Sequence, residues 1–131
     1  MKTNPKSHTI GNFGERYAAR YLRRHGYVIK EQNYRAGHRE IDIVATTWKT
    51  IAFVEVKARS YHPSELDTAP PPRHAVNAEK RRFTRQAAQQ YLYEHPTAKK
   101  PRMDVIEIWL EASDEQKKPR VLKIHHIKGA Y

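Results

Sequence analysis

Two segments rich in β-branched residues constrain the fold of this chain more than any other feature. Residues 40–45 (EIDIVA) and 51–57 (IAFVEVK) are each long enough for a strand, and only five residues separate them. Parallel neighbours require a connection of about a dozen residues or more, so this short connection predicts an antiparallel hairpin. The rest of the chain must then complete a sheet around two central strands.

Two helices and three further strands are predicted around this hairpin. Residues 9–25 mix aromatic, alanine, leucine and arginine residues, which predicts a helix that Gly26 terminates. Residues 75–94 predict a second helix whose apolar face consists of Val76, Phe83, Ala87 and Tyr91. The remaining predicted strands are residues 27–34, 103–110 and 121–127, the last two joined by an exposed loop at 111–120.

This order of elements predicts a mixed α/β fold, with a five-stranded sheet flanked by helices. At 131 residues the chain is long enough for one domain with a real core, so residues 1–131 are expected to form one unit with one site. Residues 60–74 hold four of the eight prolines and almost no apolar residue. They predict a mobile loop that borders the site.

The charge balance predicts a polyanionic partner. Lysine and arginine total 25 against 14 acids, for a net charge of +11, so nucleic acid is the leading partner, with a ribosomal or anionic membrane surface as the alternative. Without cysteine, any metal must be held by oxygen or imidazole. Residues 1–9 contain no apolar signal region and no later stretch approaches a membrane span, so we expect a soluble cytoplasmic protein that does not bind membranes.

The two central strands carry the residues that point to chemistry. Side chains alternate along a strand, so Glu55 and Lys57 share one face. Asp42 shares its face with Glu40, while Ile41 and Ile43 are expected on the other face. A suitable hairpin register brings Asp42 beside Glu55, so that two carboxylates converge.

Such a pair of acids is typical of a site for a hard cation such as Mg²⁺ or Mn²⁺. Asp42 and Glu55 are the predicted ligands, and the backbone carbonyl of Val56 is a further candidate oxygen. Lys57 would then orient the attacking water or neutralise charge on a phosphate, which is metal-assisted phosphodiester hydrolysis. The alternative is a cross-strand salt bridge on the sheet surface, worth about 0–1 kcal/mol.

Glu15 extends this candidate site to the first helix. Its neighbours on the helix surface are Gly11, Ala18, Ala19 and Leu22, a small and apolar face. A carboxylate on such a face must pair with a cation, act near a metal or shift its pKa. Stabilisation by the helix dipole near an N-terminus is the competing explanation.

Basic residues on both helices and near the central strands are candidate phosphate contacts. For Lys80, which falls on the apolar face of the second helix, snorkelling to the edge is preferred to a phosphate contact. For the other basic residues, the alternative to a phosphate contact is an ordinary solvated surface charge. The adjacent His125 and His126 should point to opposite faces of a strand, which argues against structural zinc. The predicted nucleic-acid contacts are Arg16, Arg20, Arg39, Arg59, Lys80 and Arg81.

Several ordered motifs resemble the YraN-like group of small bacterial proteins, within the PD-(D/E)XK nuclease superfamily. The resemblance covers nearly the whole chain. It is carried by residues 11–15 (GNFGE), 33–35 (NYR), 40–45 (EIDIVA), 53–59 (FVEVKAR), 75–76 (AV), 102–105 (RMDV), 125–127 (HHI) and 130–131 (AY), together with Ala18, Tyr21, Leu22, Gly26, Tyr27 and Lys80.

The resemblance implies a restriction-endonuclease-like core with Asp42 and Glu55 as metal ligands, Lys57 as the catalytic lysine and Glu15 as the helix-borne acid. Ile41 replaces the proline of the superfamily name, and Arg39 stands where glycine is commoner. We therefore expect a magnesium-dependent endonuclease acting on DNA rather than RNA, with branched or single-stranded DNA among the expected substrates. A non-catalytic nucleic-acid-binding module and a basic accessory protein are the alternatives, and the sequence leaves a homodimer open.

Overall fold

The computed structural model of the chain describes residues 5–66, 68, 78–112 and 119–131, with the side chains of residues 5–9 left out. In chain order the elements are α1 (Pro5–Arg24), β1 (Val28–Ala36), β2 (Arg39–Thr46), β3 (Thr50–Tyr61), a 3₁₀ turn (Pro63–Glu65), α2 (Ala78–Glu94), β4 (Lys100–Glu111) and β5 (Val121–Ile127). The predicted order of elements is confirmed. No helix within the described ranges is long and apolar enough to cross a membrane.

The sheet keeps its five strands in chain order, β1-β2-β3-β4-β5. Neighbouring strands are antiparallel except β3 and β4, which are parallel. Because parallel strands need a long connection, α2 lies in the segment between β3 and β4. The architecture is the predicted one, a mixed five-stranded sheet flanked by helices, and it is consistent with a restriction-endonuclease-like core. The structure places one helix on each face.

Helix α1 begins earlier than predicted, at Pro5 rather than residue 9, since proline is tolerated in the first turn of a helix. It ends as predicted. Gly26 has a φ of +86°, its N–H donates to the carbonyl of Arg23, and the N–H of Tyr27 donates to the carbonyl of Leu22. This pair of bonds is a Schellman motif, which turns the chain directly into β1.

Each helix covers its own half of the core, on opposite faces of the sheet. Ala18, Ala19 and Leu22 of α1 pack against Val54 and its neighbours. On the other face, the residues that pack together are Ala87, Ala88 and Tyr91 of α2 with Tyr34, Ile41, Val44 and Phe53. The odd-numbered side chains of β3 thus face α2, and Glu55 and Lys57 continue that row beyond Phe53.

The predicted apolar face of the second helix is partly wrong. Ala87 and Tyr91 are buried as expected, but Phe83 is 38% exposed and Thr84 is buried instead. The buried positions repeat at three to four residues from Thr84 onwards, which leaves Phe83 to one side of the contact with the sheet. Val76 lies outside the described residues.

The loop predicted at residues 60–74 begins later than expected. Ser60 and Tyr61 belong to β3, where they pair with Leu110 and Glu111 of β4. The 3₁₀ turn Pro63–Glu65 follows, and residues 67 and 69–74 lie outside the described ranges. Of the loop predicted at residues 111–120, Glu111 belongs to β4, while residues 113–118 are likewise outside the described part of the chain.

Candidate active site

The carboxylates of Asp42 and Glu55 lie where β2 and β3 separate. The last pair of the antiparallel ladder is Ile43 with Val54, and the next step along both strands places Asp42 opposite Glu55. There a side-chain hydrogen bond takes the place of the backbone ladder: the backbone N–H of Val56 donates to Oδ2 of Asp42 at 2.7 Å. The register is the one predicted, and this hydrogen bond holds Asp42 against β3.

The regular alternation of β2 breaks at Asp42. Ile41 packs in the core on the α2 side, whereas Ile43 packs on the α1 side, so the prediction that these two residues share a face is wrong. Opposite Asp42 on β1 lies Asn33, whose φ is +54°. Asparagine tolerates this left-handed conformation better than most residues, and a residue in it reorients the strand. Asp42 therefore lies between the two faces of the sheet.

Glu15 reaches this position from α1. With the amide of Asn33 oriented to satisfy both acids, its Nδ2 donates to Oε2 of Glu15 at 3.1 Å and to Oε1 of Glu40 at 3.2 Å. Because α1 begins at Pro5 and has no acid in its first turn, Glu15 is too far into the helix for the dipole at the N-terminus to explain it. Sequence reasoning missed the bridging role of Asn33, although asparagine in a strand was an available signal.

Two lysines from different elements contact the same oxygen of Glu55. Its Oε1 lies 3.2 Å from Nζ of Lys57 and 2.7 Å from Nζ of Lys80, and Glu55 is only 3% exposed. Lys80 therefore reaches from α2 to a buried carboxylate, rather than snorkelling to the edge as predicted. Lys80 is thus a member of the charged cluster, a role that was not predicted from the sequence.

Burial and neighbouring charges shift the pKa values of this cluster. Burial, then the negative charge of Glu55, raises the pKa of Asp42 to about 7, with a smaller contribution from Glu15. Burial, followed by the nearby ammonium of Lys80, lowers the pKa of Lys57. Burial acts in the same direction on Lys80, but the hydrogen bond and charge of Glu55 outweigh it and raise the pKa of Lys80. Asp42 thus keeps its proton to a higher pH than an ordinary aspartate, and Lys57 releases its proton at a lower pH than an ordinary lysine.

A charged row continues across the sheet from Lys57. The strand registers align Lys57 with Glu107 of β4 and Glu107 with His125 of β5. Glu107 is 1% exposed, and Nδ1 of His125 lies 3.1 Å from its Oε1. His126 points to the other face, as predicted, where its Nε2 lies 2.8 Å from Oδ2 of Asp104.

Asp104 is the centre of a second buried polar network, which sequence reasoning missed. Arg102 donates to both of its oxygens at 2.8 Å, and the backbone N–H of Gly129 donates to Oδ1 at 3.0 Å. The hydroxyl of Tyr27 accepts a further bond from Arg102. This network ties the segment after β5 to the sheet.

The donor set of the site fits a hard divalent cation. Asp42 and Glu55 supply carboxylate oxygens, and Mg²⁺ is commonly held by one or two carboxylates while it keeps several waters. Burial and the negative charge of Glu55 both raise the pKa of Asp42, and a cation bound there would favour its charged form. Within the described ranges no group of three or more histidine or acidic side chains is arranged as a complete metal cage. The fit is therefore to an ion that keeps much of its water shell.

The predicted nucleic-acid contacts do not all lie on one face. Arg16 and Arg20 are exposed on α1, on the opposite face of the sheet from α2. Arg39, Arg59 and Arg81 are exposed on β2, β3 and α2. The guanidinium of Arg81 lies 5.3 Å from the ring centre of Tyr131, so it also packs against the C-terminal segment.

Comparison with known proteins places this arrangement in a bacterial family. The model of the uncharacterised protein family UPF0102 matches residues 14–108, which include Glu15, Asp42, Glu55, Lys57 and Lys80. The chain is 38% identical to a UPF0102 protein of Chlorobium phaeobacteroides over 100% of this chain and 98% of the relative. It is 40% identical to one of Chlorobium chlorochromatii over 98% and 96%, and 39% identical to one of Solibacter usitatus over 97% and 87%.

Proposed function

The chain belongs to UPF0102, the YraN-like group of small bacterial proteins, and we propose that it is a metal-dependent endonuclease that hydrolyses phosphodiester bonds of DNA. The proposed substrate includes branched or single-stranded DNA, and the proposed cofactor is Mg²⁺ or Mn²⁺. Family membership alone names no substrate, so the proposal depends on the site.

One observation carries the proposal: the sheet and both helices contribute to one charged cluster. Asp42 and Glu55 converge at the end of the β2–β3 ladder, two lysines contact Glu55, and the charge of Glu15 acts on Asp42 from α1. An ordinary surface salt bridge needs two partners and no burial. Here Glu55 is almost fully buried, and such clusters of perturbed groups are typical of functional sites.

The residues divide into distinct roles under this proposal. Asp42 and Glu55 hold the ion, with the carbonyl of Val56 as a further oxygen, and the bound ion supplies Lewis-acid polarisation of the phosphate and a lower pKa for its water. Lys57, whose pKa is lowered, accepts a proton from the attacking water or, when protonated, stabilises charge on the phosphate. Glu15 acts on Asp42 through its charge and is a positioning residue, together with Asn33.

The basic surface serves the same substrate. Arg39, Arg59 and Arg81 lie on the strands and helix that form the site, so they are the proposed contacts to phosphates next to the scissile bond. Arg16 and Arg20 on α1 would contact more distant phosphates. Lys80, which balances Glu55 in this structure, is a proposed phosphate contact when a cation takes over that task.

A specific observation also favours a second function, that of a nucleic-acid-binding protein without catalysis. Both ammonium groups of the cluster contact Oε1 of Glu55, so much of its charge is balanced without a metal. In that case the cluster would be a buried ion-pair network and the basic surface would bind phosphates alone.

The test is cleavage of a panel of labelled junction, flap, duplex and single-stranded substrates in Mg²⁺, Mn²⁺ or EDTA. We expect metal-dependent cleavage of at least one substrate, and a loss of about 100-fold or more in Asp42→Ala and Lys57→Ala. Lys49→Ala, at an exposed position in the β2–β3 turn, is the matched lysine control and should retain full activity.

The outcomes separate the two functions. Salt-sensitive binding without cleavage, unchanged in Asp42→Ala, would favour the binding protein and overturn the nuclease proposal. Cleavage that persists in EDTA, or that Asp42→Ala leaves intact, would exclude this site as its origin. Repeating the panel with RNA tests the preference for DNA.

A further inference from the structure

Two guanidinium groups lie next to the exposed ring of Phe83. The Cζ of Arg82 lies 5.6 Å from the ring centre, and the Cζ of Arg39 lies 6.0 Å from it. Both distances are within the range of cation–π contacts. The buried face of α2 is formed by Thr84, Ala87, Ala88 and Tyr91, so Phe83 is not part of the core.

Phe83 and Arg39 lie on α2 and β2, the elements that carry Lys80 and Asp42 of the charged cluster. Phe83 follows Lys80 by about one helical turn, a separation of about 5–6 Å between Cβ atoms. Nζ of Lys80 contacts Glu55 at 2.7 Å. Arg39 precedes Asp42 on β2 by about 10 Å of strand. Phe83 and Arg39 thus lie on the same helix and strand that supply Lys80 and Asp42 to the cluster.

A second ring next to the cluster has a different role. Tyr131 lies 5.3 Å from the Cζ atoms of both Arg81 and Arg85, but this ring is mostly buried and belongs to the C-terminal segment. Its neighbour Ala130 donates a backbone hydrogen bond to the carbonyl of Met103 at 2.7 Å. These contacts dock the C-terminal segment on α2 and the sheet, whereas Phe83 is 38% exposed.

An exposed aromatic ring beside two cations has the chemistry that binds single-stranded nucleic acid. Bases stack on aromatic side chains, and arginines contact the neighbouring phosphates. In a duplex the faces of each base are covered by its neighbours, so a ring of this kind distinguishes unpaired from paired bases. We propose that Phe83, Arg39 and Arg82 form a stacking site for an unpaired nucleobase beside the bond to be cleaved. This inference rests on the proposed nucleic-acid substrate.

The test measures affinity in EDTA, so that cleavage plays no part. Fluorescence anisotropy with a labelled single-stranded oligonucleotide should show binding about 5- to 150-fold weaker in Phe83→Ala, the range for loss of one stacked base. Affinity for the matched duplex should stay within about twofold, since duplex binding depends on phosphates. Phe83→Trp should retain the single-strand affinity, and a parallel RNA strand distinguishes ribose from deoxyribose ligands.

Salt dependence separates the ring from its two arginines. Phe83→Ala should leave the slope of log affinity against log salt unchanged, because the ring releases no counterions. Arg82→Gln and Arg39→Gln should each lower that slope by about 0.7 on a single strand. Tyr93→Ala is the matched control, since Tyr93 is 83% exposed near the other end of α2 and should have no effect.

Two results would overturn the stacking site. One is a Phe83→Ala variant that keeps its single-strand affinity while its unfolding midpoint matches the wild type. The other is an equal loss on single strand and duplex, which would make Phe83 a general or purely structural contact. If the nuclease proposal fails, the EDTA measurement still stands, because it requires no turnover.

Discussion

Replacing Asp42 with asparagine tests how the charged cluster affects the fold. Asparagine is nearly isosteric with aspartate, and its side-chain oxygen can still accept the hydrogen bond that Val56 donates to Oδ2 at 2.7 Å. The substitution therefore removes a charge and leaves the link between β2 and β3. Glu55 faces Asp42 from β3, Glu15 from α1 and Lys80 from α2.

The expected magnitude follows from the raised pKa of Asp42. Burial, then Glu55, raises this pKa from the ordinary 3.8 to about 7. Between these two pH values the folded chain keeps a proton that the unfolded chain has released, so wild-type stability falls as pH rises. At about 1.4 kcal/mol per pH unit, the full effect is at most about 4 kcal/mol above pH 7. Asp42→Asn should therefore be more stable than the wild type near pH 8, and the difference should vanish near pH 4.

The assay is urea unfolding in EDTA at a series of pH values between about 4 and 9, with the free energy of unfolding compared between the two proteins. Glu111→Gln is the matched control. Its carboxylate is 3.9 Å from the exposed Arg120, and the change should cost less than about 1 kcal/mol at every pH. A difference between Asp42→Asn and wild type that is constant with pH, or of opposite sign near pH 8, would refute the reasoning.

Addition of Mg²⁺ extends the same experiment. A cation held by Asp42 would stabilise the wild type by about 2.7 kcal/mol at 100 times its Kd, and would stabilise Asp42→Asn much less. Equal responses of the two proteins would argue against Asp42 as a ligand. Equal responses would not affect the pH dependence measured in EDTA, so the raised pKa of Asp42 and its role as a metal ligand are tested separately.

Two further predictions concern packing and the second polar network. A Cβ on Gly14 would lie 2.8 Å from the Cβ of an alanine of β3, whereas nothing lies within 4 Å of one on Gly11. Gly14→Ala should thus destabilise by about 1–3 kcal/mol in thermal unfolding, and Gly11→Ala, its matched control in α1, should be neutral or stabilising by up to about 1 kcal/mol. Burial acts to raise the pKa of Asp104, but bonds from His126 and Arg102 lower it to about 2. Wild-type stability should therefore fall by about 2 kcal/mol as pH drops from about 4 to about 2, and Asp104→Asn should lack this loss.

The fold was largely predictable because its signals are local. Runs rich in β-branched residues predict β2 and β3, and the short connection between them allows only a hairpin. Gly26 ends α1 because glycine alone adopts a φ of +86° without strain. The exposure of Phe83 was not predictable, since its eight-residue spacing from Tyr91 fits a buried face and only the sheet decides which side of α2 is covered.

The site was predictable in part, for a different reason. The pairing of Asp42 with Glu55 follows from strand register, which is a short-range property once the hairpin is known. The contact of Lys80 with Glu55 joins elements separated by a long connection, so nothing in the local pattern specifies it. Asn33 was missed because its role depends on a backbone conformation that no period-two pattern shows.

The break in the alternation of β2 explains why both helices can act on one carboxylate. In a regular strand each side chain faces one side of the sheet, so Glu15 on the α1 side and Lys80 on the α2 side would act on different residues. Because the alternation breaks at Asp42, its carboxylate is influenced by both. Three acids near one point would repel one another, and the two lysines on Glu55 offset part of that cost. The break in β2 is therefore as necessary to the cluster as the charged residues themselves.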